Sequence, residues 1–383
     1  MKGKTIIYVA YSPYENQGKI LDFILESYQN VFAFTIGHHN LGGNNRTNKL
    51  TIYRSGKVIK ESYLYHIPIG NKLVFSILPF RSILNLIQIF YQSLKIRLNY
   101  GQVDVYFSVN GYAAWMGLVL ESFGLVKKTV YWICDYYPIR NENKIVYLVR
   151  WIYWQFEKMA ARSDVLAFHN NRLVKVWRDG GLLPYLKTYP LVPIATNRSK
   201  TNKRRNLKKI KLAFLGVLKR SQGLDYIFDS AELLNKSFPG IQVEVLGAGP
   251  DMDYFKKRAK DTDLKTKFYG YVSEKKIDEV LLSNTIGVAP YMPDPASVSF
   301  YGDPGKIKRY ISLGLPVIAT NIHEFPKQLE KHEAGCLVKY GDVSGLVLSI
   351  KKIVKKYSTY SENASRLNDR FYYKKIYPKM FEV

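Results

Sequence analysis

The second half of the chain alternates short apolar runs with segments of helical spacing, and this alternation restricts its fold more than any other feature. The apolar runs lie at 210–215, 241–246, 285–289, 315–319 and 336–338. Continuously apolar strands that alternate with helices are typical of a parallel sheet with helices on both faces. The pattern therefore predicts an α/β unit with a doubly wound sheet.

The first half of the chain follows the same plan less regularly. Its predicted strands lie at 5–10, 31–36, 103–108, 129–133 and 165–168. A chain of 383 residues also exceeds the size at which a single core usually stops growing. We therefore predict two Rossmann-like domains with a cleft between them, in which loops at the carboxyl ends of the strands meet a ligand.

The boundary between these domains is predicted at a basic stretch. Residues 198–211 are rich in lysine and arginine, contain no acidic residue, and follow Pro190 and Pro193. Such a composition is typical of an interdomain linker. The first domain is therefore predicted to cover 1–195, and the second to begin at 196.

A series of segments in the second domain, between residues 209 and 350, resembles the donor-binding domain of GT-B glycosyltransferases of the family-4, or group 1, type. In order they are AFLG (213–216), GLD (223–225), VEVLGAGP (243–250), FYGYV (268–272), GVAPY (287–291), PGKIKRY (304–310) and GLPVIAT (314–320). Their order and spacing carry the resemblance more than any single segment.

This resemblance implies the GT-B fold and transfer of a sugar from a nucleotide-sugar donor, without a cofactor. It also implies that 196–365 binds the donor. The remaining segment, 366–383, is then expected to form a helix that crosses back to the first domain. A local cap on the second domain is the alternative for this segment.

The predicted donor site begins with glycines. Gly216 and Gly247 end strands where a diphosphate would approach the backbone, which requires a residue without a side chain. Tight turns alone would explain the same glycines. Lys219 and Arg220 follow Gly216 and suit phosphate charge, although ordinary surface residues would look the same. The resemblance adds Tyr271 as a residue on which the donor base stacks, with a structural tyrosine as the alternative.

Lys306 lies at the start of a predicted helix, directly after Asp303-Pro304-Gly305. A helix N-terminus together with a lysine forms an anion site, so Lys306 is predicted to contact the donor rather than to be a plain surface lysine. No cluster of His, Cys and Asp has metal-ligand spacing, and therefore no metal is predicted. Lysines and helix dipoles can carry the charge of a leaving diphosphate.

The sequence departs from the family pattern at several positions. The glutamate pair of the family-4 type, spaced eight positions apart, falls here on Tyr301 and Arg309, and its glycine-loop Arg and Lys fall on Val217 and Gln222. Arg309 keeps its place among the predicted donor-site residues, but it cannot accept hydrogen bonds from a ribose. The donor is therefore bound differently, or it is not an ordinary nucleotide sugar, or the activity is lost.

The first domain carries its clearest chemical signal after the strand at 129–133, where Asp135 follows. A carboxylate there can take the proton of an acceptor hydroxyl if burial raises its pKa, so Asp135 is the predicted general base. A turn cap is the alternative. Asn110, Tyr136 and His169 lie near the ends of neighbouring strands and are predicted to line the same cleft. A structural role is the alternative for His169.

A formal net charge of +26 favours an anionic partner, although a general lysine bias would produce it too. The stretches 79–97 and 144–154 combine aromatic and cationic residues without an acid. This suits helices lying at the headgroup level of an anionic membrane, while the spacing of the first also fits a core-packed helix. No apolar stretch is long enough to span a bilayer. Two cysteines fit a reducing compartment.

We therefore predict a glycosyltransferase, peripheral on the cytoplasmic face of the cell membrane. The resemblance implies a nucleotide-sugar donor and a glycan or lipid-linked acceptor. The alternative is a non-catalytic or altered GT-B protein that binds a glycan or a partner subunit, which the replaced glutamates favour. Nucleic acid is not predicted as a partner, because charge is its only signal and no recognised binding motif is present.

Overall fold

Continuously apolar runs of the sequence form the central strands of both sheets in the computed structural model. The structure describes residues 3–12, 18–37, 48–67, 74–139, 143–184, 186–198 and 205–382. The chain divides into two units. The first is Met1–Ala195 together with Tyr373–Val383, and the second is Thr196–Tyr372.

The sheet of the first unit has seven strands. They are β1 (Thr5–Ser12), β2 (Asn30–Gly37), β3 (Asn48–Arg54), β4 (Lys57–Leu64), β5 (Val105–Ser108), β6 (Thr129–Ile133) and β7 (Val165–Phe168). Their order is β4-β3-β2-β1-β5-β6-β7, and the five strands from β2 to β7 are parallel. The residues of β5, β6 and β7 are all buried, as expected for strands covered on both faces.

Five helices of the first unit lie between these strands or follow them. They are α1 (Ile20–Ser27), α2 (Val74–Tyr100), α3 (Gly111–Ser122), α4 (Lys144–Ala160) and α5 (Asn171–Asp179). Asn110, Asn143 and Asn170 cap α3, α4 and α5 by accepting backbone N–H groups of the first turn. Within the described ranges, no helix is long and apolar enough to cross a bilayer.

The edge of this sheet is an antiparallel hairpin that the sequence pattern did not reveal. β3 pairs with β2 and β4, and Ser55 and Gly56 join the two hairpin strands. Both turn residues have positive φ, 49° and 76°, as a type I′ turn requires. β4 is exposed along nearly its whole length, so it lacks the apolar alternation that marks a strand in a sequence.

The second unit has a six-stranded sheet that is parallel throughout. Its strands are β8 (Lys211–Leu215), β9 (Gln242–Leu246), β10 (Lys265–Gly270), β11 (Ile286–Ala289), β12 (Val317–Thr320) and β13 (Gly335–Val338). Their order is β10-β9-β8-β11-β12-β13. The order reverses between β8 and β11, which is the switch point where doubly wound sheets bind ligands.

Two apolar clusters, one on each face of this sheet, hold its helices. The helices are α6 (Leu224–Asp229), α7 (Ala231–Ser237), α8 (Met252–Lys260), α9 (Glu274–Ser283), α10 (Gly305–Ser312), α11 (Pro326–Lys331), α12 (Val343–Lys355) and α13 (Tyr357–Asp369). Ser230 separates α6 from α7.

The last described residues belong to the first unit. They form two short helices, α14 (Tyr373–Ile376) and α15 (Pro378–Phe381), instead of the one helix predicted from residue 366. The Tyr377 hydroxyl donates to the Gly18 carbonyl at 2.7 Å, and the Phe381 ring stacks on Phe23 at 5.6 Å. The predicted boundary was early because α13 continues to Asp369 within the second unit.

Candidate functional site

The switch point of the second sheet is fixed by a buried tyrosine of α10. The Tyr310 hydroxyl accepts the Leu215 N–H at 2.7 Å, at the end of β8. Its ring lies against Gly287 of β11, where a Cβ would come within 2.5 Å of it. Because residues four apart share one helix face, this anchor also directs Lys306 to the end of β8.

Lys306 is a buried cation beside the backbone of Gly216. A Cβ built on Gly216 would lie 3.0 Å from the Lys306 Nζ, and the ammonium donates to the Gln222 Oε1 at 2.8 Å. The same ammonium lies 4.2 Å and 4.5 Å from the ring centroids of Phe214 and Tyr291. Among the described residues no carboxylate lies within ion-pair distance of it.

Burial lowers the pKa of Lys306 to about 7. A buried ammonium loses hydration, and an anion at hydrogen-bonding distance would restore the charged form. The lysine contact predicted from the sequence therefore has a geometric basis. The structure adds Gln222 as its partner, which in the sequence was only a departure from the family pattern.

Close backbone packing explains the glycines that follow β9. A Cβ on Gly247, whose φ is 130°, would lie 1.9 Å from the Gly216 carbonyl oxygen. A Cβ on Gly249 would lie 2.4 Å from the Leu218 carbonyl oxygen. Gly247 also donates its N–H to the Gly270 carbonyl at 2.9 Å. These glycines are required because the chain segments at the ends of β8, β9 and β10 approach one another closely, whether or not a ligand binds there.

The other predicted donor residues lie on the rim of these loops. Lys219 is exposed. The Arg220 guanidinium lies 3.7 Å from the Asp225 carboxylate and 4.8 Å from the Tyr254 ring. Tyr271 follows β10 with 53% of its surface exposed. Their part in donor binding remains a prediction.

A buried ion pair that the sequence analysis missed holds the start of α10. Lys308 pairs with Asp303, and both side chains are almost fully buried. The Lys308 ammonium also lies 5.0 Å from the Phe325 ring. Burial lowers the pKa of Lys308, and the adjacent carboxylate opposes that effect. In the sequence, Lys308 is marked only by its place between Ile307 and Arg309 on a predicted helix, which does not indicate burial.

Arg309 is engaged with α9. Its guanidinium lies 2.6 Å from the Asp278 carboxylate and 3.0 Å from that of Glu274. Tyr301, at the other position of the expected glutamate pair, is half-buried and packs edge-on against Phe300. Arg309 is therefore an ion-pair residue in this structure, and its role toward the donor remains a prediction.

In the first unit, Asp135 lies just beyond the end of β6. Surrounding protein atoms raise the pKa of its carboxyl to about 6 by desolvation, while its surface stays open to solvent. A carboxyl that is accessible and titrates near neutral pH suits proton abstraction. This agrees with the chemistry predicted for Asp135, whose catalytic role itself stays a prediction.

A second carboxyl lies close to Asp135, and the sequence analysis did not identify it. Glu157 of α4 is buried, and its two carboxyl oxygens accept the Tyr131 hydroxyl at 2.8 Å and 2.7 Å. Desolvation, together with the charge of Asp135, raises the pKa of Glu157 to about 7. Gly111 packs against it, with a Cβ position 3.0 Å from the carboxyl carbon. The sequence indicates Glu157 only as the single acidic residue of α4, a helix rich in aromatic and basic residues.

The remaining predicted residues of the first unit have clear structural surroundings. The Asn110 side chain accepts the Ala113 N–H at 3.0 Å, as the cap of α3. His169 is buried at the end of β7, with its ring 4.7 Å from that of Trp132. Tyr136 packs edge-on against Trp154 at 5.5 Å. Their proposed contact with an acceptor remains a prediction.

Comparison with known proteins finds a family similarity over the second unit. Residues 196–370 match the model of the family described as "Glycosyl transferases group 1". An "Uncharacterized glycosyltransferase" of Haemophilus influenzae is 23% identical over 200 residues, which are 52% of this chain and 50% of that protein. The chain thus spans about half the length of this curated relative.

Solved structures resemble the whole chain. Sucrose-phosphate synthase of Thermosynechococcus elongatus superimposes with a TM-score of 0.71 at 14% identity, covering 99% of this chain and 98% of that one. The HepE protein of Anabaena, in complex with UDP, gives a TM-score of 0.61 at 13% identity, with 99% and 98% covered. The predicted fold class is confirmed: the chain is an α/β protein with two Rossmann-like domains, the GT-B fold.

Proposed function

We propose that this protein transfers a sugar from a nucleotide donor to a glycan or lipid-linked acceptor at the cytoplasmic face of a membrane. One observation carries the proposal: Lys306 holds a buried ammonium, without a carboxylate partner among the described residues, at the glycine edge of the second sheet. The family match of residues 196–370 and the UDP complex of HepE support a nucleotide donor.

In this proposal, Lys306 neutralises the diphosphate that leaves when the sugar is transferred. An ammonium already desolvated by the protein interacts strongly with developing negative charge and needs no reorganisation at the moment of reaction. Gln222 holds the ammonium near Gly216 until the donor arrives. Since the lysine supplies this charge, we expect turnover to persist in the presence of EDTA.

Asp135 would act as the general base toward the acceptor hydroxyl. With a pKa of about 6, it is mostly ionised at neutral pH and still basic enough to accept a proton. Activity should then rise with pH through that value. A retaining mechanism that uses no enzymic base would leave this residue without such a role.

The membrane part of the proposal rests on an exposed apolar face of α2. Phe80, Ile83, Ile87, Leu94 and Leu98 are exposed at helical spacing, with Leu98 85% exposed. Buried residues such as Leu86 and Ile89 lie on the opposite face and pack in the core of the first unit. The exposed apolar face of α2 is therefore not used for this packing. On α4, three more exposed apolar residues follow helical spacing: Ile145, Leu148 and Trp151. An apolar face flanked by cations is suited to the headgroup region of an anionic membrane.

This part is tested by sedimentation with vesicles. Replacing Phe80, Ile83 and Ile87 by Ser should reduce binding to phosphatidylglycerol-containing vesicles, and salt should release the native protein. Phe90 is unsuitable for this variant, because it is half-buried against Phe123. Equal binding of native and variant protein would exclude the face on α2.

Sugar transfer is tested by incubating the full chain with a panel of UDP-sugars and measuring the released UDP, with and without acceptor lipids. Release that depends on Lys306 supports the proposal. The second candidate is a binding protein of the same fold without transfer activity, favoured by Tyr301 and Arg309 at the glutamate positions. Tight UDP binding without turnover on any donor would support this second candidate.

A further inference from the structure

A cavity of about 460 Å³ lies in the first unit, between the β3–β4 hairpin and the second half of α2. Its apolar lining includes Leu50 and Ile96, which are buried. Its charged lining residues are Arg54, Lys60 and Lys95, and all three are exposed. The cavity therefore combines an apolar floor with a cationic rim.

The hairpin keeps its acidic residue away from this cavity. Ile52 pairs in register with Lys60, and Leu50 with Ser62, so these side chains share the face toward the cavity. Successive residues of a strand point to opposite faces. Glu61 consequently lies on the other face, where Lys49 donates to it at 2.7 Å and Thr51 at 3.1 Å.

The helical wall contributes no acid either. Residues 74–100 of α2 contain no aspartate or glutamate. The Lys95 ammonium lies 4.3 Å from the ring centroid of Tyr91, one turn earlier on α2. Three cations thus surround one cavity, and no carboxylate is among its lining residues.

We propose that this cavity binds a phosphate-bearing ligand. Arginine and lysine recognise phosphate oxygens through charge-assisted hydrogen bonds, and Ser62 and Gln92 add neutral donors to the lining. The apolar floor accommodates a carbon skeleton attached to the phosphate. Leu98 and Tyr91, exposed on the same half of α2, favour the headgroup of an anionic lipid over a free phosphate ester.

Two variants test the cavity in complementary ways. Arg54, Lys60 and Lys95 are all changed to Gln, which removes the charge. Ser62→Trp places a large ring in the cavity and leaves all three cations in place. Lys158, Lys175 and Lys355 are exposed and outside the cavity, so changing them together to Gln is the control that is matched in charge.

Binding is measured on the full chain with short-chain phosphatidylglycerol and, separately, with glycerol 3-phosphate. Hydrogen exchange should show protection over 48–64 and 88–100 when the probe binds. We expect both cavity variants to bind about tenfold more weakly than the native protein, and the control triple variant to bind nearly as well.

The two probes distinguish the sources of the phosphate. Protection by glycerol 3-phosphate assigns a soluble phosphate ester, whereas protection by the lipid alone assigns a headgroup. The proposal is overturned if neither probe protects these segments. It is also overturned if the control loses as much affinity as the charge variant, or if Ser62→Trp binds like the native protein. None of these outcomes depends on sugar transfer.

Discussion

The two units carry titratable side chains of opposite charge near the ends of central strands, Lys306 beside the end of β8 and Asp135 just beyond the end of β6. In the second unit, burial lowers the pKa of Lys306 to about 7 beside a glycine backbone. In the first unit, desolvation by surrounding protein atoms raises the pKa of the exposed Asp135 to about 6 and that of the buried Glu157 to about 7. A bound anion would stabilise the Lys306 ammonium, whereas proton uptake would stabilise the two carboxyl groups. The same architecture thus suits two different tasks, anion binding in the second unit and proton transfer in the first.

The largest effect is expected from Asp135→Asn, which removes the proton acceptor and keeps the shape. Turnover should fall by about 10²- to 10⁴-fold, with donor binding unchanged. Steady-state kinetics and UDP titration measure the two quantities. Asp179→Asn, at an exposed helix end of the same unit, is the control and should stay near the native rate. A stable Asp135→Asn protein with nearly native turnover would rule out the base.

Gly247→Ala should destabilise the second unit strongly. The new methyl group would lie 1.9 Å from the Gly216 oxygen, on a backbone with φ of 130°. We expect the free energy of unfolding to fall by about 2–4 kcal/mol, measured by urea denaturation. Gly240 has φ of 79° but nothing within 4 Å of its Cβ position, so Gly240→Ala should cost only about 1 kcal/mol. Equal losses would mean that close approach is not the cause.

Lys306→Met should weaken UDP binding by about ten- to hundredfold, because a charge-assisted contact with a diphosphate is lost. The free energy of unfolding should stay the same or rise, since the variant no longer buries an ammonium. Native affinity should also weaken as the pH rises through about 7, where Lys306 loses its proton. The control is Lys351→Met, at an exposed position of α12. Unchanged affinity in Lys306→Met would move the anion site elsewhere.

The smallest effect concerns Glu157→Gln and the pH dependence of stability. The pKa of Glu157 is higher in the folded protein than its usual 4.5. Its stabilising contribution is therefore complete below about 4.5 and is lost as the pH rises through about 7. Between pH 5 and 8 the native protein should lose about 1–2 kcal/mol that the variant retains. Thermal unfolding across this range measures it, and parallel profiles would contradict the assignment.

The sequence was sufficient to predict the strand and helix alternation, because continuous apolar runs and turn glycines report directly on buried parallel strands. It also indicated Lys306 and Asp135 as candidate site residues, because Lys306 opens a predicted helix and Asp135 follows a predicted strand, and their roles remain predictions. The surroundings of these two residues could not be predicted from the sequence. The contact of Lys306 with Gln222 joins residues 84 positions apart, and only the docking of Tyr310 brings them together.

Other features were missed for related physical reasons. The exposed strand β4 carries little apolar signal, so the hairpin and its cavity could not be predicted. Lys308 and Glu157 looked like ordinary surface charges, since charged residues are rarely buried without a partner. Their partners, Asp303 and Tyr131, became apparent only with the fold.

The return of the chain to the first unit has a consequence for the order in which the protein folds during synthesis. The second unit, Thr196–Tyr372, lies within the sequence of the first. Tyr373–Val383 of the first unit are therefore synthesised after the whole second unit. Met380 and Tyr377 are fully buried in the first unit, and Phe381 contacts Phe107 of its central sheet. During synthesis, the first unit therefore cannot complete its core until after the second unit has been made. Phe107 and its aromatic neighbours stay uncovered until α15 leaves the ribosome.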